Sequence, residues 1–361
     1  MLKRITTILV VTGYTMLMRK DSKNSISHLY YPKNLAEAPA YIFGGVDEES
    51  DLVFVPDFTK QPKTFVRKVL KFLFVGRIPL SGRLTEWITG YKGYAWLSTL
   101  KPSDRLLLNG VTNLRTLRAV AWLTNPAVTR YQYFNNCLHF VYPKHMVAQK
   151  TSSMQAMGYH LVTFDPQEAA KYGMKYAEQF YRYPPEAEGS INTEQQKYDF
   201  FFCGEQKDRG RRLADLEHTL SIMGYRCLFI VVSSESQRIS YQQYLKYTRQ
   251  SRCIVDIQQE GQTGLTRRPI EALFFKKKLL TANRHISTYD FYRKENIFII
   301  DRDGQVDAAN MHHFLDQQPM VDVPVDIKAR YEVNHWLRYF DGKTENEEES
   351  QGENGQRAGM E

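Results

Sequence analysis

The chain has 361 residues, of which 42% are hydrophobic and 24% are charged, so it is a globular protein and not a disordered one. Its length suits two domains of roughly 150 residues each. The net charge of +8 favours anionic partners, namely phosphates, nucleic acid or an acidic membrane surface. Residues 341–361 hold seven acids and two bases, so the body before them is more basic still.

The N-terminal segment Ile5 to Met18 is apolar and follows two basic residues, as a signal sequence would. It is too short to span a bilayer and lacks a small-residue cleavage site, so we predict a buried first strand and a turn. No other stretch approaches about 18 apolar residues, and we predict no transmembrane helix. The four cysteines lack the short spacing of a metal site or a redox pair, which indicates reduced thiols and a cytoplasmic protein.

The segment Pro62 to Arg77 mixes five bases with large apolar residues, and two interpretations of it remain open. It suits a helix lying on an anionic membrane surface, and equally a core-facing helix with a basic outer face. Further along, apolar runs predict strands over 104–108, 138–142 and 158–164, and a helix over 114–123.

The second half has a regular alternation of short apolar runs and helical segments. Strands are predicted over 198–203, 226–232, 252–257, 278–282 and 296–301, and helices over 211–223, 240–250, 268–275 and 307–316. Such alternation predicts βαβ units and a parallel sheet covered on both faces, with ligands beyond the carboxyl ends of the strands. Pro, Gly and Glu over 185–196 suggest a linker, 327–340 a last helix, and 341–361 a disordered acidic tail.

The segment Glu260 to Leu273 (EGQTGLTRRPIEAL) follows one predicted strand and opens a helix. Free N–H groups at a helix start, together with Arg267 and Arg268, would hold a diphosphate. Gly261 and Gly264 would let the backbone approach a ligand closely. Glu271, in the first turn, would accept hydrogen bonds from a ribose diol. The alternative is an ordinary capped helix with solvated side chains.

A second loop, Gly204 to Gly210 (GEQKDRG), follows the first strand of the same predicted sheet. Its backbone, with Lys207 and Arg209, would meet the same phosphates. A solvated basic turn is the alternative for this loop alone. Two such loops on one sheet are stronger evidence than either by itself.

These segments resemble a known family. The runs YDFFFCG at 198–204, YLK at 244–246, IVDI at 254–257, EGQTGLT at 260–266 with Arg268, EAL at 271–273 and KKLLT at 277–281 resemble bacterial lipopolysaccharide-core and capsule-type glycosyltransferases. YDFY at 289–292 and NIF at 296–298 continue the match. The block also resembles the Gly-Leu-Asn-x-Arg-x-Phe-Glu-Ala element of spore-maturation-protein-like glycosyltransferases, with Thr266 for Asn and Ile270 for Phe.

The resemblance implies an α/β fold of GT-B type, in which two Rossmann-like domains face each other. The expected organisation is an acceptor-side domain over 1–184, a linker over 185–196, a nucleotide-sugar-binding domain over 197–326, a return helix over 327–340 and the tail. It implies transfer of a sugar from a nucleotide-diphosphate sugar to a surface glycan, with no cofactor beyond that donor. A glycan or lipid-linked glycan acceptor is then expected, and peripheral attachment to the inner face of the cytoplasmic membrane would suit it.

The implied donor-binding residues are Gly204, Lys207, Arg209, Gly261, Gly264, Leu265, Thr266, Arg268 and Glu271. The candidate catalytic residues are Arg268, Glu260 and Asp165. Asp165 and Asn109-Gly110, each at the end of a predicted strand, are the candidates for a catalytic base. Retaining members often carry two glutamates eight positions apart, whereas Glu260 and Glu271 are eleven apart, so the stereochemistry is left open. Asp165 competes with a simpler role as a turn-former.

We recognise no Asp-x-Asp pair of the metal-dependent transferase type, and we predict metal independence. The rival class is a non-catalytic binder of nucleotide, nucleic acid or anionic lipid, which the basic body suggests. Bases spread over many loops, without a recognised nucleic-acid module, argue against nucleic acid.

Overall fold

The computed structural model of the chain describes residues 8–11, 14–17, 29–33, 37–46, 52–56, 58–59, 61–183, 195–300 and 306–340. The strands are β1 Ile8–Val11, β2 Tyr14–Leu17, β3 Leu29–Lys33, β4 Leu52–Pro56, β5 Arg105–Asn109, β6 Thr129–Phe134, β7 Tyr159–Thr163, β8 Lys175–Tyr176, β9 Tyr198–Glu205, β10 Cys227–Val232, β11 Ser251–Asp256, β12 Lys278–Thr281 and β13 Ile297–Ile299.

The α-helices are α1 Glu37–Phe43, α2 Phe65–Phe74, α3 Gly82–Thr89, α4 Leu114–Leu123, α5 Leu138–Val141, α6 Val147–Ala156, α7 Pro166–Tyr172, α8 Gly210–Ile222, α9 Tyr241–Arg249, α10 Arg267–Phe274, α11 Ala308–His312, α12 Val325–Arg330 and α13 Val333–Arg338. The chain divides into two compact units. The first comprises residues 1–34, 51–133 and 148–161, and the second 35–50, 134–147 and 162–361.

The first unit contains strands in the order β4-β3-β5-β6-β7. β3 pairs in parallel with both β4 and β5, and β5 pairs in parallel with β6. β5 buries three consecutive leucines, Leu106, Leu107 and Leu108. A strand buried on both faces is what a parallel sheet between helices requires, which explains its continuous apolar run.

The second unit is built on a five-stranded sheet in the order β10-β9-β11-β12-β13, with every neighbouring pair parallel. Its core includes Phe200 and Phe202 of β9, Val255 of β11 and Leu280 of β12. The alternation predicted from the sequence is confirmed here: each predicted strand and helix of 198–282 is present within about two residues, which is the usual disagreement between boundaries. The fold is therefore α/β with parallel sheets.

Two predicted elements are wrong. Residues 138–142 were expected to form a strand, but Leu138–Val141 is the helix α5, whose Leu138 N–H donates to the carboxylate of Glu168 at 2.7 Å. A run of only five residues is too short for its periodicity to separate strand from helix.

The single last helix predicted over 327–340 is instead two helices, α12 and α13. Tyr181 pairs with the chain between them: its N–H donates to Tyr331 O at 2.9 Å, and its O accepts from Val333 N at 2.9 Å. Glu332 is consequently extended, and its side chain caps α13 by accepting from Asn334 N at 2.7 Å.

The N-terminal segment contains two strands, β1 and β2, which pair antiparallel, where one strand and a turn were predicted. No helix within the described ranges is long and apolar enough to cross a bilayer. All four cysteines are free thiols. Most of the predicted linker, and all of the predicted acidic tail over 341–361, lie outside the described residues.

Candidate phosphate-binding site

The second sheet has a switch point at β9, because β10 lies on one side of it and β11 on the other. In parallel sheets, ligands bind beyond the carboxyl ends of the strands at such a point. α8 follows β9 at this edge and α10 follows β11, and neither helix has an acid in its first turn. Two positive helix ends therefore lie at one edge of the sheet, where an anion would be favoured.

Arg268 joins the ends of these two strands. Its Nη2 donates to Cys203 O of β9 at 2.7 Å, and its Nη1 lies 3.4 Å from Asp256 Oδ1 of β11. The guanidinium stands 4.7 Å over the ring of Phe202. Its Nε is buried and has no hydrogen-bond partner in the structure. Arg268 is thus positioned at the switch point with one donor unused.

Arg209 lies beside Arg268, with its guanidinium 5.3 Å from the same Phe202 ring. Burial, and then the positive charge of Arg268, lower the pKa of Arg209 to about 10, so it remains a cation at neutral pH. The carboxylate of Asp256 is fully buried here, Asp208 also acts on the charge of Arg209, and Arg268 acts on the buried carboxyl group of Glu271. The two guanidinium groups at this point would attract a bound anion.

Arg209 does not present its donors to the cleft as predicted. Its Nη1 donates to Ile257 O at 2.6 Å and its Nη2 to Glu205 O at 3.0 Å. It therefore holds together the loops that follow β9 and β11. Lys207 is the cation of this loop whose side chain is more accessible, and its Nζ lies 3.8 Å from a Glu205 carboxylate oxygen.

At two glycines of these loops, other parts of the same chain occupy the space that a side chain would need. A Cβ on Gly204 would overlap the Arg268 guanidinium, so Gly204 is the space into which Arg268 reaches. A Cβ on Gly264 would lie 2.8 Å from the Phe164 ring and 2.9 Å from Asp165 Cα. Close approach by a ligand was the predicted reason for the glycine at position 264, and the structure supplies a different one. Gly261, with φ +82°, needs glycine for its backbone conformation.

Asp165 is buried in the second unit, where its side chain links the start of α7 to the loop that follows β11. Its Oδ1 accepts from Gln167 N and Glu168 N, both at 3.1 Å, which caps α7. Its Oδ2 accepts from Thr263 N at 2.8 Å and Gly264 N at 2.9 Å.

Burial alone would raise the pKa of Asp165, but these backbone N–H groups outweigh it and lower the pKa. A low-pKa carboxylate with both oxygens occupied is a poor proton acceptor, so the structure argues against the catalytic role predicted for Asp165. Its position at the turn between β7 and α7, where it caps the helix, fits the alternative prediction that Asp165 is a turn-former.

Glu260 lies on the exposed part of the loop after β11, and its N–H donates to Asp208 Oδ2 at 2.8 Å. Its O lies 3.3 Å from Nε2 of His139, a residue of α5 that the sequence did not single out. The other ring nitrogen of His139 lies 3.5 Å from Glu168 Oε1. A histidine oriented by a carboxylate therefore stands next to Glu260.

The start of α10 is capped by Thr266, as its position in the motif suggests. The Thr266 hydroxyl accepts from Arg268 N at 3.3 Å and donates to Asp256 Oδ1 at 2.7 Å. Pro269 follows in the first turn and has no N–H, so this helix start offers fewer free donors than predicted. Leu265 is buried, and we assign it to packing.

Glu271 lies in the second turn of α10 and not in the first, because the helix begins at Arg267. It is 3% exposed, and its Oε2 accepts a short hydrogen bond from the Tyr244 hydroxyl. Burial raises the pKa of Glu271. The ring of Tyr241 stacks on Tyr244 at 5.5 Å, and the Tyr181 and Tyr241 hydroxyls are 2.5 Å apart. A ribose would have to displace Tyr244 to reach this carboxylate.

Among the described residues, the ligand atoms of Cys137, His139 and Glu168 lie within 4.8 Å of one another. Cys137 Sγ donates to Asp165 Oδ2 at 3.6 Å, and burial raises the pKa of this thiol. Hydrogen bonds within the chain, from Cys137 Sγ to Asp165 and from Leu138 N to Glu168, account for this arrangement. One Asp-x-Asp spacing does occur in the sequence, at Asp301 and Asp303, outside the described residues. Metal independence therefore stays a prediction.

A cavity of about 450 Å³ lies at the opposite edge of the sheet, where β12 and β13 begin. Several lysines line it, but Lys277 Nζ donates to Arg249 O at 2.7 Å and Lys278 Nζ to Gln318 O at 2.6 Å. The ammonium groups of these two lysines are thus hydrogen-bonded to backbone carbonyl oxygens. We therefore place the candidate site at the switch point and not in this cavity.

Sequence reasoning missed Asp256, His139 and Tyr244 as parts of the site. Asp256 ends a buried apolar strand, and because charged residues are rarely buried without a partner, its position could have marked it as part of a site. His139 lies 121 residues from Glu260 in the chain, and no local pattern relates the two. No protein-family model matches the chain, and a search of curated proteins returned no match.

Proposed function

We propose that this protein is a glycosyltransferase of GT-B architecture that moves a sugar from a nucleotide-diphosphate sugar to a bacterial surface glycan of lipopolysaccharide-core or capsule type. The observation that carries the proposal is the charge arrangement at the switch point, where the guanidinium groups of Arg209 and Arg268 share the Phe202 ring and the buried Nε of Arg268 has no hydrogen-bond partner. The resemblance of the sequence over 198–298 supplies the reaction class.

The donor diphosphate would lie over the starts of α8 and α10, facing Arg268 and Lys207. Negative charge grows on the diphosphate as the glycosidic bond breaks, and a fixed cation stabilises that charge more in the transition state than in the bound donor. Arg268 suits this role because its bonds to Cys203 O and Asp256 fix the guanidinium before the donor binds. No metal ion is needed in this scheme.

The ribose of the donor would bind Glu271 after exchange of its hydrogen bond with Tyr244. Tyr244 and Tyr241 would then offer rings beside the nucleoside. For proton transfer, the titratable groups are Glu260 of the exposed loop and His139 of α5, which lies beside it. The N-terminal residues of the proposed acceptor-side domain would bind the glycan.

The alternative is a protein that binds nucleotide or another anion without catalysis. The same charge arrangement at Arg209 and Arg268 favours it, because an anion site does not by itself imply turnover. Release of nucleoside diphosphate from a panel of nucleotide sugars separates the two functions. Binding without release in the presence of surface-glycan acceptors supports the alternative.

Kinetics of two variants test the proposed roles. Arg268→Ala should lower turnover by about 10²-fold or more, because one preorganised donor is lost. Glu271→Gln should mainly raise the donor KM, by about 10-fold, because the ribose is held similarly in the ground and transition states.

Arg211→Ala is the matched control, since that arginine is on the exposed face of α8 and its side chain is 94% exposed. Unchanged kinetics in both site variants, with folding intact, would contradict the proposal.

A further inference from the structure

The helix α2 exposes its apolar side chains to solvent and buries a lysine, the reverse of an ordinary surface helix. Of its ten residues, all of them described, Lys71 alone is buried, while Phe65 is 78% exposed, Val66 66% and Phe72 56%. Burial lowers the pKa of Lys71 to about 8. A helix in a water-soluble domain normally buries its apolar stripe and exposes its lysines. The core-facing interpretation of this segment is therefore wrong.

The exposed apolar surface continues beyond α2. Trp87 and Leu84 of α3 are exposed, and so is Ile78 in the turn that joins the two helices. Leu70 of α2 and Ile88 of α3 belong to one small cluster, so the two helices pack on each other through their inward residues. We call the exposed apolar residues of the two helices and of the turn between them the α2–α3 surface: Phe65, Val66, Val69, Phe72, Leu73, Ile78, Leu84 and Trp87.

Basic residues surround this surface. Residues 61–92 contain seven bases and one acid. That acid, Glu86, is already used, because its Oε1 accepts from Gly93 N at 2.6 Å and Ala95 N at 3.1 Å. Lys63, Arg67 and Lys68 of the α2 region are all exposed. The apolar face is therefore rimmed by positive charge that acids of its own segment do not neutralise.

We propose that the α2–α3 surface docks on an anionic lipid bilayer, with its aromatic and aliphatic side chains in the headgroup region and its bases on the lipid phosphates. A basic helical face with Trp, Phe and Leu is suited to that interface. Docking with a second copy would bring two such basic rims together, which like-charge repulsion opposes. Nucleic acid would use the bases but leave the exposed apolar side chains in water. The proposal does not depend on the proposed enzymatic activity.

Vesicle co-sedimentation of the full chain tests it. We expect binding to vesicles containing phosphatidylglycerol, weaker binding at high salt, and little binding to pure phosphatidylcholine. The double variant Phe65→Ser and Trp87→Ser should weaken binding by about 10-fold or more, because two inserted apolar side chains are lost.

The control is Ile222→Ser, which removes an apolar residue that is 73% exposed on α8 in the other unit and should leave binding unchanged. For charge, Arg67→Gln with Lys68→Gln should weaken binding to anionic vesicles, whereas Arg211→Gln should not. No sedimentation of the wild-type chain with anionic vesicles would overturn the proposal. A dimer in solution that Phe65→Ser abolishes would also overturn it, in favour of self-association.

Discussion

Gly204→Ala probes the position of Arg268 without removing any charge. The backbone of Gly204 is outside the left-handed region that favours glycine, so alanine costs no backbone strain there. The added Cβ would overlap Arg268 Nη2, which donates to Cys203 O at 2.7 Å. The guanidinium must therefore move, and this charged hydrogen bond is lost.

A hydrogen bond from a charged group contributes about 1.5–3 kcal/mol to stability, so Gly204→Ala should destabilise the protein by about that amount. In an Arg268→Ala background there is no guanidinium to displace, and Gly204→Ala should then cost less than about 0.5 kcal/mol. The double-mutant cycle should show a coupling of about 1–2.5 kcal/mol between the two positions.

Urea unfolding of the full-length chain, followed by circular dichroism, measures the four members of the cycle. Additive effects, with Gly204→Ala equally costly in both backgrounds, would refute the claim that Gly204 is glycine because of Arg268.

Three further outcomes follow from the site. Asp165→Asn should destabilise the protein by about 1–3 kcal/mol at neutral pH, because the new amide group would face the N–H groups of Thr263 and Gly264. The folded pKa of Asp165 is lowered, so the stability that this carboxylate contributes is lost as the pH falls through that pKa. Wild type and variant should therefore converge in acid unfolding curves. Glu271→Gln should show the opposite trend, because burial raises the folded pKa of Glu271 and the stability present below the unfolded pKa is lost as the pH rises toward the folded pKa. The variant should therefore gain on the wild type in thermal melts as the pH rises above the ordinary glutamate pKa. Chelation with EDTA should leave sugar transfer unchanged, and a loss restored by Mg²⁺ would contradict metal independence.

The sheet of the second unit was predictable because its central strands are buried on both faces. β9 includes the run Tyr198 to Cys203, and β11 includes Cys253 to Val255 before it ends at Asp256. Such runs, separated by helical segments with caps such as Ser240, specify βαβ units without any tertiary information. The location of the switch point then follows from topology.

The side-chain roles were less predictable, since they depend on contacts distant in sequence. The Gly264 backbone approaches Asp165, which is 99 residues away, and that contact determines why position 264 is glycine. Glu271 could be assigned to a helix start, but its burial under Tyr244 depends on how α9 packs. The sequence pattern of α2 was consistent with either face being outward, and only the folded arrangement shows which face is buried.

Isothermal titration calorimetry of the full-length protein with nucleoside diphosphates tests the proposed phosphate site, and it needs neither the sugar nor the acceptor. We expect at least one nucleoside diphosphate to bind the wild type, Arg268→Ala to weaken this binding by about 10-fold or more, and Arg211→Ala to leave it unchanged. No binding of any common nucleoside diphosphate to the folded wild-type protein, or equal binding by the wild type and Arg268→Ala, would contradict a phosphate site at the switch point.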